Sequence, residues 1–171
     1  MKKRSVLFLA AFAFLAFAIP AQAQTTLYIG AGASFPTSDF GDYANTGWMG
    51  TAGALFGAGP VGVGAEFFYG QNNHKDEVSL ADDAKTTPWG FMGIVDYAFG
   101  QPDKIRPYVF GGLGVLIHKY SAGGISESET QFGYQAGAGL SFPLGIYVEG
   151  RYMGSEDTKY FGALAGFAFD L

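Results

Sequence analysis

Ile146-Tyr147-Val148-Glu149-Gly150-Arg151-Tyr152-Met153 decides how the rest of the chain is read. One alternating face carries Ile146, Val148, Gly150 and Tyr152, and the other carries Tyr147, Glu149, Arg151 and Met153. A period of two marks a half-buried strand. The pattern leaves open which solvent the apolar face meets. Against a soluble core, Glu149 and Arg151 are ordinary surface charges. Against lipid, they point into the protein and need partners.

Seven more runs of about ten residues alternate in the same way. The first, 25–35, sets Leu27, Ile29, Ala31, Ala33 and Phe35 against Tyr28, Gly30, Gly32 and Ser34. The second, near 47–56, has its phase left open by the adjacent Trp48 and Met49. The third, 61–70, sets Val61, Val63, Ala65, Phe67 and Tyr69 against Gly62, Gly64, Glu66 and Phe68. The fourth is about 87–99 and places Asp96 on the less apolar face; the fifth, 105–118, does the same with Arg106. The sixth is 130–142, with Phe132, Tyr134 and Leu140 against Gln131, Gln135 and four small residues. The seventh is the opening stretch, and the eighth is 158–171.

The connections alternate in length. Segments 57–60, 100–104 and 143–145 are short, whereas 36–46, 71–86 and 119–129 are long and 154–157 is brief. Tight turns at one end and longer loops at the other fit an up-and-down barrel in an outer membrane. Strands of about ten residues, tilted, span a bilayer. The alternative is a soluble lipocalin-like barrel, with its apolar face inside. Three features favour lipid outside. The less apolar face is mostly Gly with a few Gln, Ser, Tyr and charges, which makes a poor solvated sheet because interior Gly weakens a strand. Aromatics recur near strand ends on the apolar face, as interfacial girdles require. The sequence also closes on an alternating run, Gly166-Phe167-Ala168-Phe169-Asp170-Leu171.

The N-terminal segment supports export. Lys2, Lys3 and Arg4 precede an apolar run from Val6 to Ile19, then Pro20 and Ala21-Gln22-Ala23. This is the pattern of a secretory signal peptide, expected to be cleaved between Ala23 and Gln24. The run is shorter than the ~20 residues of a spanning helix. The expected organisation is a signal peptide at 1–23 and one barrel domain at 24–171. Without the signal, seven cations face fifteen carboxylates, a net charge of −8. That argues against nucleic acid as a partner, since phosphate binding uses basic patches. There is no cysteine, hence no disulfide framework.

The chain resembles the small OmpA/OmpX-type outer-membrane barrel family across essentially all of 24–171. The carriers are Leu27-Tyr28-Ile29-Gly30-Ala31-Gly32-Ala33, Arg106-Pro107-Tyr108-Val109-Phe110-Gly111-Gly112-Leu113-Gly114 and the terminal run. The resemblance implies an all-β, eight-stranded antiparallel transmembrane barrel in the bacterial outer membrane. It also implies a C-terminal assembly signal read by the barrel-assembly machinery, here Gly166, Phe167, Phe169 and Leu171. Leu171 departs from the usual final aromatic residue.

No catalytic, cofactor or metal motif stands out. His74 sits in an Asn-Asn-His-Lys-Asp-Glu loop and reads as solvated; His118 ends the fifth run and reads as an interface residue. There is no HExxH motif and no Cys/His cluster. The loops carry ten of the fifteen carboxylates, among them Asp76, Glu77, Asp82 and Asp83, with no EF-hand spacing. Expected partners are membrane lipid and lipopolysaccharide, and the expected state is a monomer. The expected role is structural or surface-interacting. A narrow channel for small or hydrophobic solutes is the alternative, and a lipid-modifying enzyme a more distant one.

With lipid outside, Glu66, Asp96, Arg106, Glu149 and Arg151 all point into the lumen. Buried charges need partners. Counting residues up from the short turns places Glu66 level with Arg151, with Glu149 one step below. Asp96 and Arg106 flank the segment 100–104 and are expected to pair near the periplasmic end. The network is expected to plug the lumen.

Overall fold

The computed structural model describes residues 24–75, 84–101 and 103–171, so the signal segment 1–23, with Ala23, lies outside the described residues. Eight strands form: β1 Gln24–Thr37, β2 Gly47–Ala58, β3 Val61–Asn73, β4 Lys85–Ala98, β5 Arg106–Ala122, β6 Ile125–Ser141, β7 Ile146–Gly154 and β8 Lys159–Asp170. Each pairs antiparallel with its sequence neighbours, and β8 closes on β1 from Thr26↔Asp170 to Thr37↔Lys159. Closure leaves no open edge within the membrane, as a sheet in hydrocarbon requires.

Neighbouring residues show which face meets lipid. Phe91 is 60% exposed and Met92 1%; Trp48 is 50% exposed and Met49 1%. The second pair resolves the phase of β2. Ile29, Val95, Leu113, Phe132 and Phe167 also lie bare on the outer wall. So broad an apolar exterior fits a lipid-facing band between aromatic girdles.

Large inward-facing side chains pack against one another in the interior. Met49, Phe68, Met92, Ile94, Phe110, Leu116, Met153, Tyr160 and Leu164 form one buried cluster. Inward-facing glycines make the space for this filling. A Cβ at Gly139 would stand 2.5 Å from Cζ of Tyr108, and one at Gly53 2.5 Å from Cζ of Tyr28. Gly137 faces Phe110 in the same way, and Gly30 and Gly166 face Tyr147. An eight-stranded barrel is just wide enough for its own side chains, so each large ring needs a missing side chain opposite.

Two loops differ from the sequence reading. Residues 119–129 are not a loop but the top of a hairpin: β5 and β6 stay paired up to Ala122↔Ile125. They reverse at Gly123 and Gly124, with φ of +56° and +80°. Two successive positive φ values make the turn that matches strand twist. At seventeen residues each, β5 and β6 exceed the ~9–11 that a bilayer needs, so the hairpin stands clear of it. Segment 36–46 contains a short helix, α1, Asp39–Tyr43.

Candidate functional site: a lumenal charge cluster and an extracellular cap

Arg151 on β7 and Glu66 on β3 stand on opposite sides of the closed strand order, so their contact crosses the lumen. Nη1 of Arg151 donates to Oε1 of Glu66 at 2.6 Å, and Nη2 donates to Oε2 at 3.0 Å. Nη1 also donates to Oε1 of Gln135 at 3.0 Å. Nε donates to Oε1 of Glu149 at 2.8 Å, and Nη2 reaches the same oxygen. All five donors of the guanidinium fork are thereby used. Below it lies the Phe110 ring, 5.1 Å from Cζ to the centroid, a cation–π contact.

The carboxylates outnumber the cation two to one. Neutral donors serve the oxygens that remain. Tyr28 donates to Oε2 of Glu66 at 3.1 Å, the Gln135 amide donates to Oε1 at 3.1 Å, and Tyr108 donates to Oε2 of Glu149 at 2.8 Å. Arg151 and Glu66 are buried to 2% and 1% exposure. Hydrogen bonds to ionised groups are the strong ones, and here they are multiple and dry. Gln135, Tyr28 and Tyr108 were not singled out in the sequence. The signal for them was available: each lies on the inward phase, as Glu66 does.

Asp96 and Arg106 are not brought together. The described ion pairs join Arg151 to Glu66 and to Glu149. Asp96 stands opposite Phe110 in the β4–β5 register, and the last rung is Ala98↔Tyr108. Arg106 therefore lies beyond the end of the ladder, two inward-facing steps below Phe110. Oδ1 of Asp96 and Nε of Arg106 are both buried without a hydrogen-bond partner.

At the other end, α1 folds over the mouth. Phe40 is fully buried, its ring 5.1 Å from that of Tyr160 and 5.2 Å from that of Tyr43, both edge-on. Ala44 bridges His74, the Asn45 amide donates to the Asn73 carbonyl, and the Lys75 ammonium donates to the Gly41 carbonyl, the last two at 2.8 Å. His74 is no free loop residue: its Nε2 lies 2.8 Å from Oγ1 of Thr86. Burial lowers the His74 pKa and raises that of Tyr43.

His118, expected at the membrane interface, faces inward and is fully buried. Its Nε2 lies 3.1 Å from Oγ of Ser155 and its Nδ1 3.2 Å from the Tyr160 hydroxyl. Its hydrogen-bond partners among the described residues are hydroxyls, where a catalytic triad would place a carboxylate. Ser155 is buried as well. Among the described residues, no three side chains of metal-binding type gather. Residues 76, 77, 82 and 83, considered for a cation, lie outside the described residues.

A family model described as outer membrane protein beta-barrel domain matches residues 6–168. The fold is similar to that of neisserial surface protein A, with a TM-score of 0.66 at 14% identity over 86% of this chain and 97% of that one. It is also similar to Ail, the attachment invasion locus protein of Yersinia pestis, with a TM-score of 0.53 at 20% identity over 86% and 99%. The N-terminal beta-barrel domain of Pseudomonas aeruginosa OprF gives a TM-score of 0.50 at 20% identity over 86% and 100%. No curated protein matches the chain. Closed eight-stranded barrel, lipid-facing apolar wall and family match agree: the chain belongs to the outer-membrane beta-barrel family and resides in the bacterial outer membrane.

Proposed function

We propose that this barrel is a monomeric surface protein, structural or interactive in role, that presents its extracellular end while its lumen stays shut. One observation carries the reading: the described interior is filled from the Arg151 cluster, through the methionine-rich cluster, to Phe40 under the cap. A conducting lumen would need a continuous wet path, and this packing opposes one. The face left for partners is the extracellular end. There the β5–β6 hairpin exposes Glu127 and Glu129, and Lys85 and Lys119 point outward just above the membrane wall. Those lysines suit the phosphates of lipopolysaccharide, which we take as the lipid neighbour. The names of two structural neighbours, a surface protein and an attachment invasion locus protein, support the same direction.

In planar bilayers the purified barrel is expected to give no unitary conductance. A deletion strain is expected to lose detergent resistance or adhesion. Complementation with the full chain should restore the phenotype, whereas a version with 119–129 cut to a two-residue turn should not. Steady conductance steps, or an uptake defect without a surface defect, would replace this reading with the channel.

The same reading fixes the topology. Protease added to whole cells should cut first within 71–86 and leave 100–104 intact until the outer membrane is broken. Mass spectrometry of the released fragments would show the order, and early cleavage at 100–104 would invert the barrel.

A further inference from the structure

Asp96 and Arg106 line one recess of about 210 Å³ at the periplasmic mouth, together with Gln24, Thr26, Leu55 and Gly62. One inward step above Arg106 on β5, Tyr108 donates to Glu149 in the cluster that spans the lumen. Two opposite charges share this small space and do not pair. Asp96 lies against Gly62 on the neighbouring β3, its carboxylate in the place that a side chain at position 62 would take. Arg106 is fixed below the last rung of the β4–β5 ladder. An unpaired partly buried charge is costly, and a buried polar atom without a partner asks for an occupant.

We propose that the recess binds a small zwitterion entering from the periplasm, its ammonium on Asp96 and its carboxylate on Arg106. The guanidinium fork suits a carboxylate in two-point contact, and the Asp96 carboxylate suits a compact ammonium. A volume of about 210 Å³ admits an amino acid or a comparable short chain and excludes a folded peptide. The two fixed charges set the length of ligand that fits. The Arg151 cluster above closes the way onward, so this is a site of retention and not of passage.

The test uses the full barrel in phospholipid nanodiscs, titrated with zwitterions of increasing length: glycine, 4-aminobutyrate and 6-aminohexanoate. Butyrate and butylammonium are the singly charged controls. Amide shifts of Gly62 and Ala98 report binding. At least one zwitterion is expected to bind ten or more times tighter than either control. Asp96→Asn should reduce that zwitterion to the level of butyrate, and Arg106→Gln to the level of butylammonium. Heat-modifiable migration checks that both variants fold. If either does not, the comparison of zwitterions with controls on the unaltered chain still decides. No saturable shift, or zwitterions no tighter than the controls, would mean a recess that holds water alone and would overturn the proposal.

Discussion

Arg151→Met is expected to destabilise the barrel by about 3–5 kcal/mol, the scale for breaking a buried ion pair by removing one partner. The geometry supports the upper part of that range. Arg151 serves two carboxylates and an amide at once, and its removal leaves Glu66 and Glu149 facing the same gap with only Tyr28, Tyr108 and Gln135 as donors. Methionine nearly matches the volume, so lost packing contributes little. Arg151→Lys should fall between, since an ammonium keeps the charge but cannot make a planar two-point contact with both carboxylates. Replacing Glu66 and Glu149 with Gln and Arg151 with Met together should recover much of the loss, because no uncompensated charge then remains. Urea unfolding from lipid vesicles measures all four proteins. If Arg151→Met unfolds with wild type, the Arg151–Glu66 contact does not hold the barrel. Single-channel recording on the same samples separates a plug from a gate. Conductance that appears only when the pair is broken favours a gate.

The second large effect concerns assembly. Changing Phe169 and Leu171 together to Asp should lower the amount of heat-modifiable barrel in cells by more than tenfold. Thermodynamics alone does not account for that. Both residues lie at the periplasmic end, where a charge on the lipid face costs about 1 kcal/mol or less. The Leu171 amide donates to the Thr25 carbonyl at 2.8 Å, and a backbone bond is indifferent to the side chain. The loss is therefore expected at recognition by the assembly machinery. Accordingly, the purified variant should still fold into vesicles at close to the normal yield. Normal levels in the outer membrane would remove the terminal strand as a signal, and failure in vesicles as well would make the defect one of stability.

The lumenal contact was legible because two regularities combine in a barrel. Alternation tells which way Glu66 and Arg151 point, and counting from the tight turns tells their height. The same counting failed for Asp96 and Arg106. Both lie near the same turn, but the β4–β5 register sets Asp96 opposite Phe110, two inward steps above Arg106. The β5–β6 hairpin was missed for a different reason. Above the membrane neither face of 119–129 needs to be apolar, so its strands lose the alternation that marks the others. The Gly123-Gly124 pair was the remaining trace of the turn. Phe40 carries no periodic signal at all; its burial depends on Tyr160, far along the chain.

The pairing of each lumenal ring with a glycine on another strand has a consequence for inheritance. Tyr28 and Gly53, Tyr108 and Gly139, and Phe110 and Gly137 divide a fixed volume between two positions. Neither member can change size alone without a collision or a void. A backbone carbonyl also lies 2.6–2.7 Å from each missing Cβ, so among descendants of this chain these glycines should stay fixed even where the ring changes, while the lipid wall drifts one residue at a time. The interior would then keep a record of ancestry in its glycines, legible long after the outer wall has lost it.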